Sequence, residues 1–443
     1  MAGNNGFGFT KEYMMQLSES KNEPEWVRER RQQAWDAWGD IPMPTQKDEE
    51  WRRTDISVID FEQFRPFVKP NGHALDSVEQ LPDATKSLID HAGADGGYLV
   101  QGDSNVQLTQ LSEELQEQGV IFMGLEEAIE KHPDLVKEYL FTKVMSPRYS
   151  KFAALNGAFW SGGAFLYVPR NVEVQIPVRA FFNVNAPDLA IFQHNLIVLD
   201  ENASAEFVEV YQSENEEYKT LNSGITEIFL NDSARLNFTA LQNWSENVYD
   251  LSNKRAYISR DAKITWVIAT FGGKLTKNHI DSICDAPGAE ANAQGLYFLD
   301  ENQHLDVGVL LKLNSPHTHA DSFYKGALKG KSRSVFQGLI RIEKGAQDVG
   351  AFLENKNLLL ARGARADSIP VLEIESDDVK ASHGATVGRI DDNQMFYLMS
   401  RGLSRKQAER VIVSGFFENV IKHIGSENTK NMIHKLIEQK IRL

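Results

Sequence analysis

The chain has 443 residues, 42% hydrophobic and 25% charged, which is enough apolar material for two or three folded units with ordinary cores. Its net charge of −15 is repelled by phosphate backbones and argues against a nucleic-acid partner. A single cysteine, Cys284, excludes a disulfide framework and any all-cysteine metal or cluster site built by one chain.

Met1 to Phe9 is Gly- and Asn-rich, with no basic stretch leading into an apolar one, so no secretory leader is expected. No apolar run approaches the roughly 20 residues that span a bilayer. A reducing, cytoplasmic setting is the expectation. Over residues 1–150 short helical patterns alternate with loops. Asn22 and Pro24 open a helix on which Val27, Ala34, Trp35 and Trp38 share a face, and Gly39 stops it. The charged segment Glu49-Glu50-Trp51-Arg52-Arg53-Thr54-Asp55 reads as a solvated surface anchored by one aromatic ring. A second helical stretch covers Leu125 to Val144, interrupted at His132-Pro133.

From Lys151 to Ile390 the pattern becomes one of strands. Turn clusters recur, each closed by an alanine: Ala203, Ala234, Ala262 and Ala289, spaced by 31, 28 and 27 residues. After the middle two the sequence alternates. Leu236, Phe238 and Ala240 oppose Arg235, Asn237 and Thr239, and Ile264, Trp266 and Ile268 oppose Lys263 and Thr265. Both a stacked solenoid and an antiparallel sandwich produce such repeats.

Residues 391–443 return to helix, punctuated by Gly402 and Gly425, with Ser404 and Gln407 spaced as a capping box. Between Val411 and Ile421 the apolar residues wrap most of the helix circumference, so a face beyond the usual single stripe needs a cover. That cover is either the domain itself or another protein. Nine basic and six acidic residues give this tail +3 within a chain of −15, as a docking element would have.

Among candidate chemical groups, Gly326-Ala327-Leu328-Lys329-Gly330-Lys331-Ser332 is one residue short of a phosphate-binding loop and reads as a β-turn. His317 and His319 would share one face of a strand and chelate a metal, as in a cupin-like enzyme, yet no carboxylate follows at the right spacing. Cys284 reads as a small buried hydrophobe, and no Gly-x-Ser-x-Gly elbow is present. His383, within Ala381-Ser382-His383-Gly384-Ala385, has neighbours too small to shield it, so its ring is either reachable by a ligand or held in a turn.

Around His383, Glu373–Lys380, Ser382-His383-Gly384-Ala385-Thr386-Val387-Gly388, Gln394–Leu398 and Ser400-Arg401-Gly402 resemble the signature of the SufB/SufD family. Asn355–Leu360, Tyr324-Lys325-Gly326 with Ser332-Arg333, and Glu50-Trp51-Arg52 with Thr54 are similar to that family as well. The wording around His383 and the shorter length point to the SufD side of the family. The resemblance implies a mainly β chain: an N-terminal helical domain (1–150), a right-handed parallel β-helix core (151–390) and a C-terminal helical domain (391–443). It implies a non-enzymatic scaffold for iron–sulfur cluster assembly, a heterodimer with a SufB-type subunit through the β-helix and a SufC-type ATPase on the C-terminal helices. A homodimer is the alternative for the isolated chain. It also makes His383 a ligand of a transient cluster shared with the partner. Some members carry a cysteine two residues before this histidine, where the chain has Ala381, so no thiolate is expected there.

Overall fold

Four turn residues set the period of the core. Asn202, Ser233, Asp261 and Gly288 hold φ of 58°, 60°, 55° and 75°, and each directly precedes one of the four alanines, which are buried. This left-handed conformation is tolerated best by Gly, Asn and Asp, so the turns fall where those residues are, with Ser233 the departure. The chain then starts a new coil over the last. Lys263 pairs in register with Arg235 before it and Glu290 after it, and both pairings are parallel. Parallel stacking at every coil rules out the antiparallel sandwich.

The structure is a computed structural model that describes residues 8–68, 75, 77–81, 85, 86, 89, 96–213 and 217–442. The first seven residues, part of the segment read for a leader, lie outside the described residues. Among the described residues the chain makes about eight coils. The strands form one sheet of ten and one of twelve. Inward side chains fill the lumen between the sheets. Phe207, Phe238 and Trp266 stack along it with ring centroids 5.9 and 4.9 Å apart. Further on, the ring of Tyr324 fills the space beside Gly295 and the ring of Tyr297 that beside Gly326, where a Cβ on either glycine would overlap the ring.

Helices cover the outer faces. Lys11–Ser20, Glu25–Asp40, Leu125–Lys131 and Pro133–Tyr139 pack on the twelve-stranded sheet around Leu196, Val198, Ile225 and Phe229. Lys151–Phe159 packs with them and is a helix, although the sequence reading placed strands from Lys151 onward. Its residues from Phe152 to Phe159 are all buried, so no amphipathic stripe marks it as helical. The C-terminal helices Arg405–Ile421 and Glu427–Arg442 lie on the ten-stranded sheet, where Val413, Phe417, Val420, Ile421, Ile433 and Ile437 cover Val208, Leu241, Val267, Leu296 and Phe298. The capping box of Ser404 and Gln407 is formed.

The two ends of the solenoid differ. At the first coil, Ile121–Gly124 adds antiparallel to Ala164–Val168, and the hairpin Gly97–Gly102/Asn105–Leu111 extends the other sheet beyond Val178–Val184. At the last, Arg365–Ile374 and Val379–Arg389 are the terminal strands, one in each sheet. Among the described residues nothing pairs with their outer edges.

Candidate functional site

The last coil presents an unpaired backbone edge and a lumen mouth. On Val379–Arg389, Val379 and Ala381 pack against the lumen core, and strand alternation puts His383 on the same inward side. His383 is in register with buried Leu353 one coil below. Its ring is exposed, and among the described residues no hydrogen bond or ion pair reaches it. It sits within a strand rather than a turn, bordered on the same face by Ala381 and Ala385, which leaves its nitrogens open to a group arriving from beyond the edge. Ile374 and Val387, also inward by alternation, are exposed there. Among the described residues no group of three or more His, Cys, Asp or Glu side chains is arranged to hold a metal ion. His383 would therefore be one ligand of a larger set.

Cys284 cannot complete that set. It is buried in the lumen on Leu275–Cys284, three strands from the edge strand Arg365–Ile374, roughly 14 Å at ordinary strand spacing. Burial pushes its thiol up to about 12, as expected of a packed hydrophobe. His317 and His319 do not alternate along one strand: His317 occupies a left-handed corner (φ 59°) and only His319 begins the strand. His317 Nδ1 meets Asp348 at 2.9 Å and His319 Nε2 meets Asp321 at 3.1 Å, each an exposed pair at one wall of a 420 Å³ depression. The segment like a phosphate-binding loop is a strand and turn, as read. Lys325 donates to the Phe416 carbonyl (2.6 Å) and Lys329 to that of Lys440 (3.0 Å), so both fasten the C-terminal helices.

The broad apolar circumference of Arg405–Ile421 finds most of its cover in the chain's own sheet. Val411 stays half-exposed, and the preceding helix Asp392–Ser400 exposes Phe396 at 74%, Tyr397 at 56% and Met399. The exposed apolar surface thus lies mostly one helix earlier, on Asp392–Ser400.

Of the polar clusters that the sequence did not reveal, two lie on or within the solenoid. Inside the lumen Glu209 accepts from Asn195 (2.7 Å), Thr226 (2.8 Å) and Tyr211 (2.7 Å) and pairs with Lys254. The Glu49–Asp55 segment is the second, and it is not simply solvated. Trp51 is buried against Phe152 and covers Lys277. The Glu50 carboxylate meets His279 at 2.7 Å. Thr54 donates to Asp306 at 2.5 Å, and because a hydroxyl has one proton, His304 Nε2–H must be the donor across the 2.9 Å contact to Thr54. Partial burial would raise Glu50, but the hydrogen bond and charge of His279 and the charge of Lys277 hold it at about 2. Burial lowers His304 to about 4, outweighing the pull of Asp306. An acidic residue before a buried Trp was the available signal; its partners lie more than two hundred residues away.

Two family models match: "SufBD protein N-terminal region" over residues 11–180 and "SUF system FeS cluster assembly, SufBD core domain" over residues 182–416. The chain is 32% identical over 432 residues to an iron–sulfur cluster assembly SufBD family protein of Staphylococcus haemolyticus, covering 96% of this chain and 91% of the relative. The same identity and coverage hold for one from Staphylococcus epidermidis, and a Staphylococcus aureus relative is 31% identical over the same length.

Proposed function

The chain belongs to the SufBD family of SUF iron–sulfur cluster assembly proteins, and from that premise we propose that it is a non-catalytic scaffold subunit of the SufD type. In this reading the open edges of the last coil pair with a SufB-type subunit, and the same edges let the isolated chain form a homodimer. The C-terminal helices dock a SufC-type ATPase through the exposed face around Phe396 and Tyr397. A nascent cluster, the cargo of the complex rather than a resident cofactor, forms where the partner faces His383. The division of the chain at about residues 150 and 390 and a cytoplasmic setting belong to the same proposal. No helix among the described residues is long and apolar enough to cross a membrane.

The observation that carries this reading is His383, an exposed imidazole at the mouth of a β-edge, with no partner for either among the described residues. One imidazole with no thiolate beside it holds a cluster only with ligands from another chain. His383→Ala removes that ligand without removing core volume. The variant should keep its thermal stability and subunit stoichiometry, while the iron and sulfide content of the anaerobically reconstituted complex falls sharply. His383→Cys should restore part of it, since thiolate is the commoner ligand. Normal cluster yield from His383→Ala, or a loss explained by unfolding, would make His383 structural.

A further inference from the structure

We propose that residues 50–54 form a strap that stiffens the open edge of the twelve-stranded sheet by bolting together the three strands beneath it. Those strands, Leu275–Cys284, His304–Leu313 and Arg333–Ile342, lie side by side, and the next is the edge strand Arg365–Ile374. The strap crosses their outer faces. Its Glu50 carbonyl accepts from Lys277 on the first (3.1 Å) and from Gln337 on the third (2.9 Å), while Thr54 is fixed to His304 and Asp306 on the second. Asp306 lies at the centre, taking Lys277 at 3.0 Å, Gln337 at 2.8 Å and Thr54.

Asp306 is 0% and Lys277 1% exposed, so their ion pair is sealed from water beneath the strap and does not open without it. Gln337 is in register with Ile369 of the edge strand. Arg333 of the third strand also pairs with Asp367 of the edge at 2.8 Å. An edge strand has backbone bonds on one side only, so its opening is governed by the neighbour that the strap holds. On the other sheet, among the described residues, the C-terminal helices reach the neighbour of the edge strand at Leu358, near the end of that strand, and Asn355 and Asn357 of that neighbour bond Tyr297 inside the lumen. The edge on the strapped side is therefore kept at fixed register for a pairing partner.

The purpose of that stiffness rests on the pairing proposed above, but the strap is tested without a partner. Amide hydrogen exchange of the isolated full chain is compared for wild type, Thr54→Val and Glu50→Gln. Thr54→Val should speed exchange in 333–342 and 365–374 by about tenfold and leave 379–389 unchanged, with Glu50→Gln showing a smaller change of the same pattern. Acceleration confined to residues 41–56, or equal in both sheets, would overturn the proposal. If Thr54→Val does not fold, Glu50→Gln is read by the same two criteria, and no acceleration at 365–374 overturns it. A chain that passes this test and still fails to pair removes the assembly reading and leaves the strap.

Discussion

The two ends of the solenoid are built from the same kind of strand and are finished in opposite ways. At the first coil the added hairpin and antiparallel strand take up the backbone groups that the sheets would otherwise leave free. At the last, both sheets stop at strands whose inward side chains, among them Ala385, Val387 and His383, face no further coil. Unpaired edges invite pairing with another chain, and proteins that must avoid it shorten, charge or cover them. Here the edge strands are 10 and 11 residues long and expose Val371, Ile374 and Val387, so length and some apolarity are retained, although Pro370 removes one backbone donor from the first of them. The difference teaches that one end is closed by the chain itself and that the other, among the described residues, is left open, as the proposed pairing requires.

The comparison is broken most severely from within. Trp266→Ala empties a fully buried lumen site and should cost about 3–5 kcal/mol in denaturant unfolding. Ile374→Asp, at the open end, should change the stability of the isolated chain by about 0.5 kcal/mol or less yet abolish partner pairing in size-exclusion chromatography. If both variants destabilise alike, the last coil is not an open end in solution. Next in size is Lys277→Met, which strands Asp306 without its cation and should cost about 3 kcal/mol.

Acid should loosen the strapped side of the molecule first. His304 stays neutral in the folded chain down to about 4, whereas an unfolded histidine takes its proton near 6.5. Its contribution is complete above pH 6.5 and is lost as pH falls toward 4, on the order of 3 kcal/mol in all. Glu50, held at about 2, adds a loss between pH 4.5 and 2. Equilibrium unfolding of wild type against Thr54→Val over pH 7 to 4 should show the gap between them narrowing as the strap lets go. A constant gap would mean His304 is not coupled to it.

The smallest effect on stability belongs to the C-terminal face. Phe396→Ala with Tyr397→Ala should shift stability by less than about 0.5 kcal/mol, because both rings are exposed, and should weaken ATPase-subunit binding at least tenfold by titration. Deleting Ser404–Leu443 is a poorer experiment, because it strips the cover from Val208, Leu241, Leu296 and Phe298 and would disturb the solenoid as well.

What the sequence revealed depended on how local the cause was. The coil period was legible because Asn202, Asp261 and Gly288 are the residue types that a left-handed turn selects, and the alternation after Ala234 and Ala262 is a two-residue signal. The helix Lys151–Phe159 was not, since burial all round erases the stripe. The strap was hidden for a different reason: Thr54 meets Asp306 across 252 positions, and a polar side chain destined for such a contact looks like any surface residue. His383 was singled out by the size of its neighbours, but its place in an edge strand follows from what fails to pair with it, which no residue type encodes.

The reciprocal fit of Tyr324 beside Gly295 and Tyr297 beside Gly326 bears on how such a chain can change its length. In a solenoid of equivalent coils, loss or gain of one whole coil restores every contact and is nearly silent. Here the large side chain of one coil is matched to the missing side chain of another, in two adjoining columns of opposite sense. Excising the strand His319–Leu328 with its coil would bring Asn355 over Gly295 and Asn357 over Tyr297, leaving unfilled the space that the Tyr324 ring occupied. The coils near the open end are thus keyed to their positions and cannot be duplicated or dropped as modules.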